Sequence, residues 1–240
     1  MNARRFICPN YGPDKDAAIK AFRKALEISK EIGEPEILFL TPDKNLRTTI
    51  FSEVLGIKNV KALENGKKIS IKNGSYLIFE SFNSNRHHSP KIAIAFYPTR
   101  YNLDKIDELY AENLIVVPFT GEEIKEWQLT WNPEIIGKGK EEEKELIDEP
   151  EVRNALLRII NPTTSLYHPY DYDFALGHLK FLHENGFELV PFKIKGFALR
   201  KGWTVDSANQ LKDLAEKIIK GINVRKQTDR TINITLSDLQ

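Results

Sequence analysis

The sequence predicts an α/β fold followed by a smaller all-helical domain. The first part alternates short apolar runs with helical patterns, and the runs have the near-continuous apolar character of strands in a parallel sheet covered on both faces. Beyond a charged segment at 137–145, the strand signal fades and apolar residues recur at helical spacing. We therefore expect a doubly wound, mostly parallel, Rossmann-like sheet over residues 1–140, a helical domain over 150–225 and a tail over 226–240. The charged segment fits either a linker or a solvated helical turn.

The predicted sheet domain contains five strands and four helices. Thr120 and Glu123 have the spacing of a capping box, which predicts the start of one of the helices. The predicted strands are 5–8, 36–41, 76–79, 91–96 and 114–117, and the predicted helices are about 17–32, 46–55, 103–110 and 122–131.

A different signal interrupts this alternation at 57–80. Asn73 and Gly74 separate two β-type runs, and both positions of such a turn favour positive φ. The pattern predicts a β-hairpin whose second arm, 76–79, enters the main sheet.

The second half predicts four short helices and an extended tail. The apolar stripes lie at 152–159, 174–182, 192–200 and 211–219. Residues 231–236 alternate apolar and polar side chains with a period of two, which favours a late strand or an extended docking arm.

Composition excludes several classes of protein. The chain has 240 residues and a net charge of +1, so its overall charge does not favour phosphate or membrane binding. The single cysteine, Cys8, excludes an intrachain disulfide and a multi-cysteine zinc site. It ends the first apolar run, where a buried structural thiol is favoured over a nucleophile. We see no signal peptide and no apolar run of membrane-spanning length, which predicts a cytoplasmic protein.

Polar residues follow the predicted strands. Ligands of open α/β sheets bind outside the carboxyl ends of the strands, and nearby helix N-termini favour anions. We therefore predict a small-anion or nucleotide site that includes Thr41, Asp43, Thr99 and Thr120. The same residue types also cap helices where no ligand binds. Neither a P-loop nor a GxGxxG motif is present.

The loop at 81–90 is dense in hydrogen-bonding groups. Asn83 and Arg86 are predicted ligand contacts, since an arginine can grip a carboxylate or phosphate with two hydrogen bonds. His87 and His88 are candidate acid–base residues near neutral pH. The alternative is an ordinary polar surface loop.

A second polar loop, at 161–173, contains the third candidate catalytic residue, His168. It could coordinate a metal together with Asp171, Asp173 and His178. Either aspartate is equally well placed to cap the following helix, so the sequence predicts no metal site, and it identifies no cofactor.

The helices on either side of Gly186 could form a helix-turn-helix for nucleic acid. Four basic residues would contact phosphates there: Lys193, Lys195, Arg200 and Lys201. Lysines on solvated helices are common, so this partner is one alternative among several.

Two functional classes follow from these patterns. The first is a binding or regulatory protein, with a small-molecule site in the α/β domain and a helical domain that contacts a macromolecule. The second is an enzyme, a hydrolase or transferase, acting on a phosphorylated or nucleotide-like substrate. The first is favoured because the sequence contains no compact catalytic motif.

Overall fold

The computed structural model describes residues 3–42, 44–84, 91–108, 112–143, 145–162 and 165–239. The chain divides into two compact units. The first contains Met1–Gln128 and Asn132–Glu142, and the second contains Leu129–Trp131 and Glu143–Gln240. The domain limits inferred from sequence stay a prediction.

The first unit is built on a mostly parallel sheet. Its strands are β1 (Arg4–Ile7), β2 (Glu36–Thr41), β3 (Ile69–Ser70), β4 (Tyr76–Ser81), β5 (Ile92–Phe96), β6 (Asn113–Val117) and β7 (Glu134–Ile135). Within the described residues these seven strands lie in the order β3-β4-β2-β5-β6-β1-β7, and β3 alone runs antiparallel to its neighbour.

This order confirms an α/β fold with a mostly parallel sheet, but it differs from the Rossmann order. In the Rossmann order the first strand lies beside the second. Here β1 lies between β6 and β7, and β2 lies between β4 and β5.

The helices of the first unit are α1 (Lys15–Ile32), α2 (Phe51–Leu55), α3 (Ile57–Glu64), α4 (Arg100–Glu108) and the first four residues of α5 (Lys125–Trp131), whose last three residues belong to the second unit. Asp14 starts α1 by accepting hydrogen bonds from two backbone N–H groups, and Gly33 ends it in the left-handed conformation at φ 68°. Helix α3 was not predicted from the sequence. The prediction of a capping box at Thr120 is wrong. A 3-10 turn (Glu122–Ile124) precedes α5, and the N-cap of this turn is Gly121, which makes no side-chain hydrogen bond.

Phenylalanines from α1, α2 and the strands fill one side of the sheet. The rings of Phe22, Phe39, Phe51 and Phe96 pack with centroids 4.7 to 5.6 Å apart. Such aromatic pairs contribute about 0.5–1.5 kcal/mol each beyond their buried area.

The other side of the sheet carries a buried ion pair. Arg5 of β1 contacts Asp107 of α4 at 3.0 Å, and both side chains are 5% exposed. A pair this deeply buried attaches α4 to the sheet by charge and hydrogen bonding together.

The predicted hairpin is confirmed. Strands β3 and β4 are antiparallel, and the turn between them places Asn73 at φ 63° and Gly74 at φ 75°. The second arm enters the main sheet, since β4 runs parallel to β2 over six residue pairs.

The second unit consists of helices and an ordered tail. Its four helices in the described residues are α6 (Pro150–Ile160), α7 (Pro169–Glu184), α8 (Pro191–Arg200) and α9 (Val205–Ile219). Three of them begin with proline at the first turn, where the missing N–H has no intrahelical partner to lose.

The tail after α9 forms no strand in its described part, which extends to residue 239. It lies on α7 instead. The carboxylate of Asp173 accepts hydrogen bonds from the backbone N–H groups of Gln227 and Thr228, at 2.7 Å each, and from the Thr228 hydroxyl at 2.6 Å. Ile232 and Ile234 lie against Gly177, where a Cβ atom would be 3.6 Å from both side chains. The docking-arm alternative therefore describes the tail better than the strand.

Candidate ligand site

The carboxyl ends of the parallel strands bring several predicted site residues to one edge of the sheet. Thr41 ends β2 and is 2% exposed. Asn83, Thr99 and Thr120 follow β4, β5 and β6, and all three are exposed. Asp43, Arg86, His87 and His88 lie outside the described residues.

The N-terminus of α1 is occupied by its own side-chain cap. Asp14 accepts hydrogen bonds from the N–H groups of Asp16 and Ala17 at 2.7 and 3.0 Å, and from the side chain of Asn10 at 2.7 Å. The hydrogen bond from Asn10, together with those from the backbone, lowers the pKa of Asp14. This carboxylate is therefore ionised near neutral pH, and it disfavours an anion at this helix end.

The N-terminus of α4 is occupied in the same way. The amide oxygen of Asn102 accepts hydrogen bonds from the backbone N–H of Thr99 at 3.0 Å and from the Thr99 hydroxyl at 2.8 Å. The Thr99 hydroxyl in turn accepts from the N–H of Asn102 at 3.3 Å. Thr99 is thus a helix cap in this structure, which is the alternative that the sequence left open.

Tyr97, directly after β5, has an unusual backbone conformation. Its φ of 55° is left-handed, which is uncommon for a bulky residue and marks strain. This conformation breaks the alternation of the strand, so the Tyr97 ring joins the Phe96 ring on the same core. The Tyr97 hydroxyl oxygen is buried and has no hydrogen-bond partner within the described part of the chain. Burial, followed by the charge of Asp14, raises the pKa of Tyr97 to about 12.

Two exposed aromatic side chains follow the ends of strands β6 and β1. The Phe119 ring packs edge-on against Tyr97 at 5.7 Å and is 47% exposed. Tyr11 is 56% exposed, and a Cβ atom at Gly121 would be 3.1 Å from its hydroxyl oxygen. The N–H of Gly12 donates to the carbonyl of Phe119 at 2.9 Å, so the loops after β1 and β6 are held together. We call Tyr11, Tyr97 and Phe119 the aromatic edge.

Tyr97, directly after β5, lies at a topological switch point. The chain leaves β2 toward β3 at one edge of the sheet, whereas it leaves the neighbouring strand β5 toward β6 in the opposite direction. Neighbouring strands whose connections diverge in this way leave a crevice at their carboxyl ends, where ligands of open α/β sheets bind. The sequence analysis predicted a site at the carboxyl ends of the strands, but it did not name these aromatic residues. A usable signal was present, since both Tyr97 and Phe119 stand next to a proline at a strand end.

Cys8 is a structural residue. It is fully buried and donates a hydrogen bond to the carbonyl of Ala17 at 3.4 Å. Burial raises its pKa to about 11, so the thiolate needed for nucleophilic attack is scarce at neutral pH.

The polar residues predicted in the second unit also have structural roles. His168 caps α7, since its Nδ1 accepts a hydrogen bond from the N–H of Tyr170 at 3.2 Å. Asp173 holds the tail, and no group of three or more metal-ligating side chains occurs among the described residues. His178 is 1% exposed and pairs through Nδ1 with the carbonyl of Phe174. Burial lowers the pKa of His178, which outweighs the opposite effect of that hydrogen bond, and the charge of Arg158 adds to the lowering.

The four basic residues of α8 and its end do not form one surface. Lys193 pairs with Asp148 at 3.4 Å, and Lys195 is buried. Arg200 donates to the carbonyls of Thr130 and Leu129 and pairs with Glu143. The Lys201 ammonium lies 5.7 Å from the centre of the Phe197 ring. This arrangement gives no support to nucleic-acid binding.

Comparison with known families finds one similarity. Residues 152–237 match a domain of unknown function, DUF1889. The match covers about a third of the chain, from α6 into the tail, and lies within the second unit. Neither the curated proteins nor the solved structures contain a match. No helix in the described ranges combines the length and the apolar character needed to cross a membrane.

Proposed function

We propose that this chain is a cytoplasmic binding protein whose small-molecule ligand lies against the aromatic edge. The proposal rests on Tyr97. This residue has a strained backbone, lies at a topological switch point, and has a buried hydroxyl that lacks a hydrogen-bond partner among the described residues. Leaving a buried polar group unpaired costs about 1–3 kcal/mol, and backbone strain of this kind adds about 1–3 kcal/mol. A ligand that hydrogen-bonds to the hydroxyl offsets the first cost.

The charge and shape of the site indicate the ligand class. The ionised Asp14 and the occupied N-termini of α1 and α4 disfavour a phosphate group. The exposed rings of Tyr11 and Phe119 offer faces on which a planar molecule stacks. The ligand we propose is therefore a planar heteroaromatic molecule, uncharged or cationic, of which the base of a nucleoside is an example.

The test compares ligands with and without phosphate. Thermal unfolding would be measured with nucleosides, with the corresponding nucleoside phosphates and with inorganic phosphate. A ligand at 100 times its Kd adds about 2.7 kcal/mol, which raises the Tm by about 5–11 °C in a chain of this size. We expect a shift with a nucleoside that phosphorylation does not increase.

Variants locate the site. Tyr97→Phe and Phe119→Ala should both abolish the ligand-induced shift. Tyr101→Phe serves as the matched control, because Tyr101 is a phenol of the same unit that is 69% exposed and lies on α4. A shift that depends on phosphate and survives both edge variants would refute the proposal and return the site to an anion.

The enzyme alternative has no observation in its favour among the described residues. Its acid–base set was His87, His88 and His168, and His168, the one described, is a helix cap. We also propose that the helical unit contacts a macromolecule.

A further inference from the structure

The second unit contains a small groove with an apolar floor. Its volume is about 140 Å³, and Leu146, Val152 and Val190 contribute to its lining. Leu146 and Val152 belong to the hydrophobic core of this unit, so the floor of the groove is part of that close-packed core. The groove has room for one long side chain rather than for a helix or a strand.

The rim of the groove is acidic. Asp148, Glu149 and Glu188 line it, and Lys193 is the opposing positive charge. Lys193 lies 3.4 Å from Asp148, which neutralises one of the three carboxylates. The side-chain carboxylates of Glu149 and Glu188 make no hydrogen bond and no ion pair within the described part of the chain. Glu149 occupies the N-cap position of α6 without making a side-chain cap bond, so it is free to bind a ligand.

We infer that this groove binds a lysine or arginine side chain of a partner protein. Such a side chain has an apolar stem and a cationic head, which matches an apolar floor with two unpaired carboxylates at the rim. The stem covers Val152 and Val190, and the head lies between Glu149 and Glu188. Nucleic acid has the wrong sign of charge for this rim.

The experiment uses the full-length protein and a fluorescein-labelled peptide of four arginines. Fluorescence anisotropy gives its Kd, and a peptide with citrulline in place of arginine keeps the stem without the charge. We expect binding of the arginine peptide, with at least tenfold weaker binding of the citrulline peptide.

Two sets of variants separate the groove from general charge attraction. The double variant Glu149→Gln/Glu188→Gln should weaken binding at least tenfold. The matched control Glu184→Gln/Asp229→Asn also removes two exposed carboxylates of the same unit and should leave the Kd within twofold. Val190→Phe fills the groove without changing its charge and should weaken binding as much as the first double variant, provided that circular dichroism shows an intact fold.

Each contrary result overturns the inference. Equal weakening by the two double variants would mean diffuse attraction to a charged surface. Full binding by Val190→Phe would place the peptide outside the groove. Equal binding of the citrulline peptide would mean an apolar ligand class, and no binding of the arginine peptide would remove the stated partner chemistry.

Discussion

The attachment of the tail to Asp173 gives the sharpest prediction about the second unit. Asp173 is fully buried, and its two carboxylate oxygens accept three hydrogen bonds from Gln227 and Thr228. In Asp173→Asn, the amide NH₂ group takes the place of the oxygen that accepts two of these bonds. The Thr228 hydroxyl can rotate and accept from the new amide, but the Thr228 N–H cannot. One partly buried backbone donor is therefore left without a partner.

The magnitude follows from these bonds. An unsatisfied buried donor costs about 1–3 kcal/mol, and replacing a charged acceptor by a neutral one weakens the remaining bonds by about 1 kcal/mol. We expect Asp173→Asn to destabilise tail attachment by about 2–4 kcal/mol. This corresponds to an increase of roughly 30- to 900-fold in the fraction of molecules with a detached tail.

Limited trypsin digestion measures that fraction. Arg225, Lys226 and Arg230 flank the attachment point, and cleavage there follows the open population when opening and closing are fast. Asp229→Asn is the matched control, an exposed carboxylate in the same segment. If Asp173→Asn and the wild type are cleaved in the tail at the same rate, the tail does not depend on this carboxylate.

The pH dependence of tail attachment gives a second measurement of the same contact. Burial alone would raise the pKa of Asp173, but the hydrogen bonds from Thr228 and Gln227 outweigh it and the pKa is lowered from 3.8. The stabilisation is therefore present above pH 3.8 and is lost as the pH falls below it. Trypsin is inactive at that pH, so amide hydrogen exchange at Gln227 and Thr228 is the measurement. The variant Asp173→Asn should lack this pH dependence.

Three further predictions concern buried positions. Because the pKa of His178 is lowered from 6.5, the free energy of unfolding should fall as the pH drops below 6.5, by up to about 1.4 kcal/mol per pH unit. Urea unfolding between pH 5 and 8 measures this change, and His178→Leu should lack this pH dependence. Gly196→Ala should lose about 1–3 kcal/mol because its Cβ would lie 2.6 Å from Thr130 Oγ1; adding Thr130→Ala should restore the Tm, and failure to do so would exclude the clash. Asp107→Asn should lower the free energy of chemical unfolding by about 3–5 kcal/mol, because the Arg5 charge stays buried without the opposite charge of Asp107. The double variant Arg5→Met/Asp107→Leu should recover most of this loss. No recovery would mean that the ion pair itself supplies the stability.

Much of the fold could be predicted because buried parallel strands are continuous apolar runs. The runs at 36–41, 91–96 and 114–117 correspond to β2, β5 and β6. The order of the strands could not be predicted, because it depends on which way each connection crosses the sheet. Strand β7 is two residues long, too short for any periodic pattern. Helix α3 follows Gly56 directly, and because a glycine is the usual end of a helix, it gives no sign that a second helix begins there.

The proposed site has the location that the sequence suggested, the carboxyl ends of the strands, but we propose a different ligand chemistry for it. Threonines at strand ends suggested an anion, whereas Thr99 serves as a cap and Thr120 does not cap the next helix. A positive φ at Tyr97 is a property of the folded sheet and has no sequence signature in a bulky residue. In the second unit, a carboxylate that binds a segment 54 residues away, as Asp173 does with Gln227, leaves no local pattern to find.

The burial of Cys8 has a practical consequence for labelling chemistry. It is the single cysteine in the chain, it is fully buried, and its pKa is about 11. An exposed thiol has a pKa of about 8.5, so the reactive thiolate of Cys8 is on the order of a hundredfold scarcer before shielding from the reagent is considered. A cysteine introduced at Thr120 or Asp229 can therefore carry a maleimide dye in the wild-type background. Either unit can therefore be labelled with a fluorophore without first replacing Cys8.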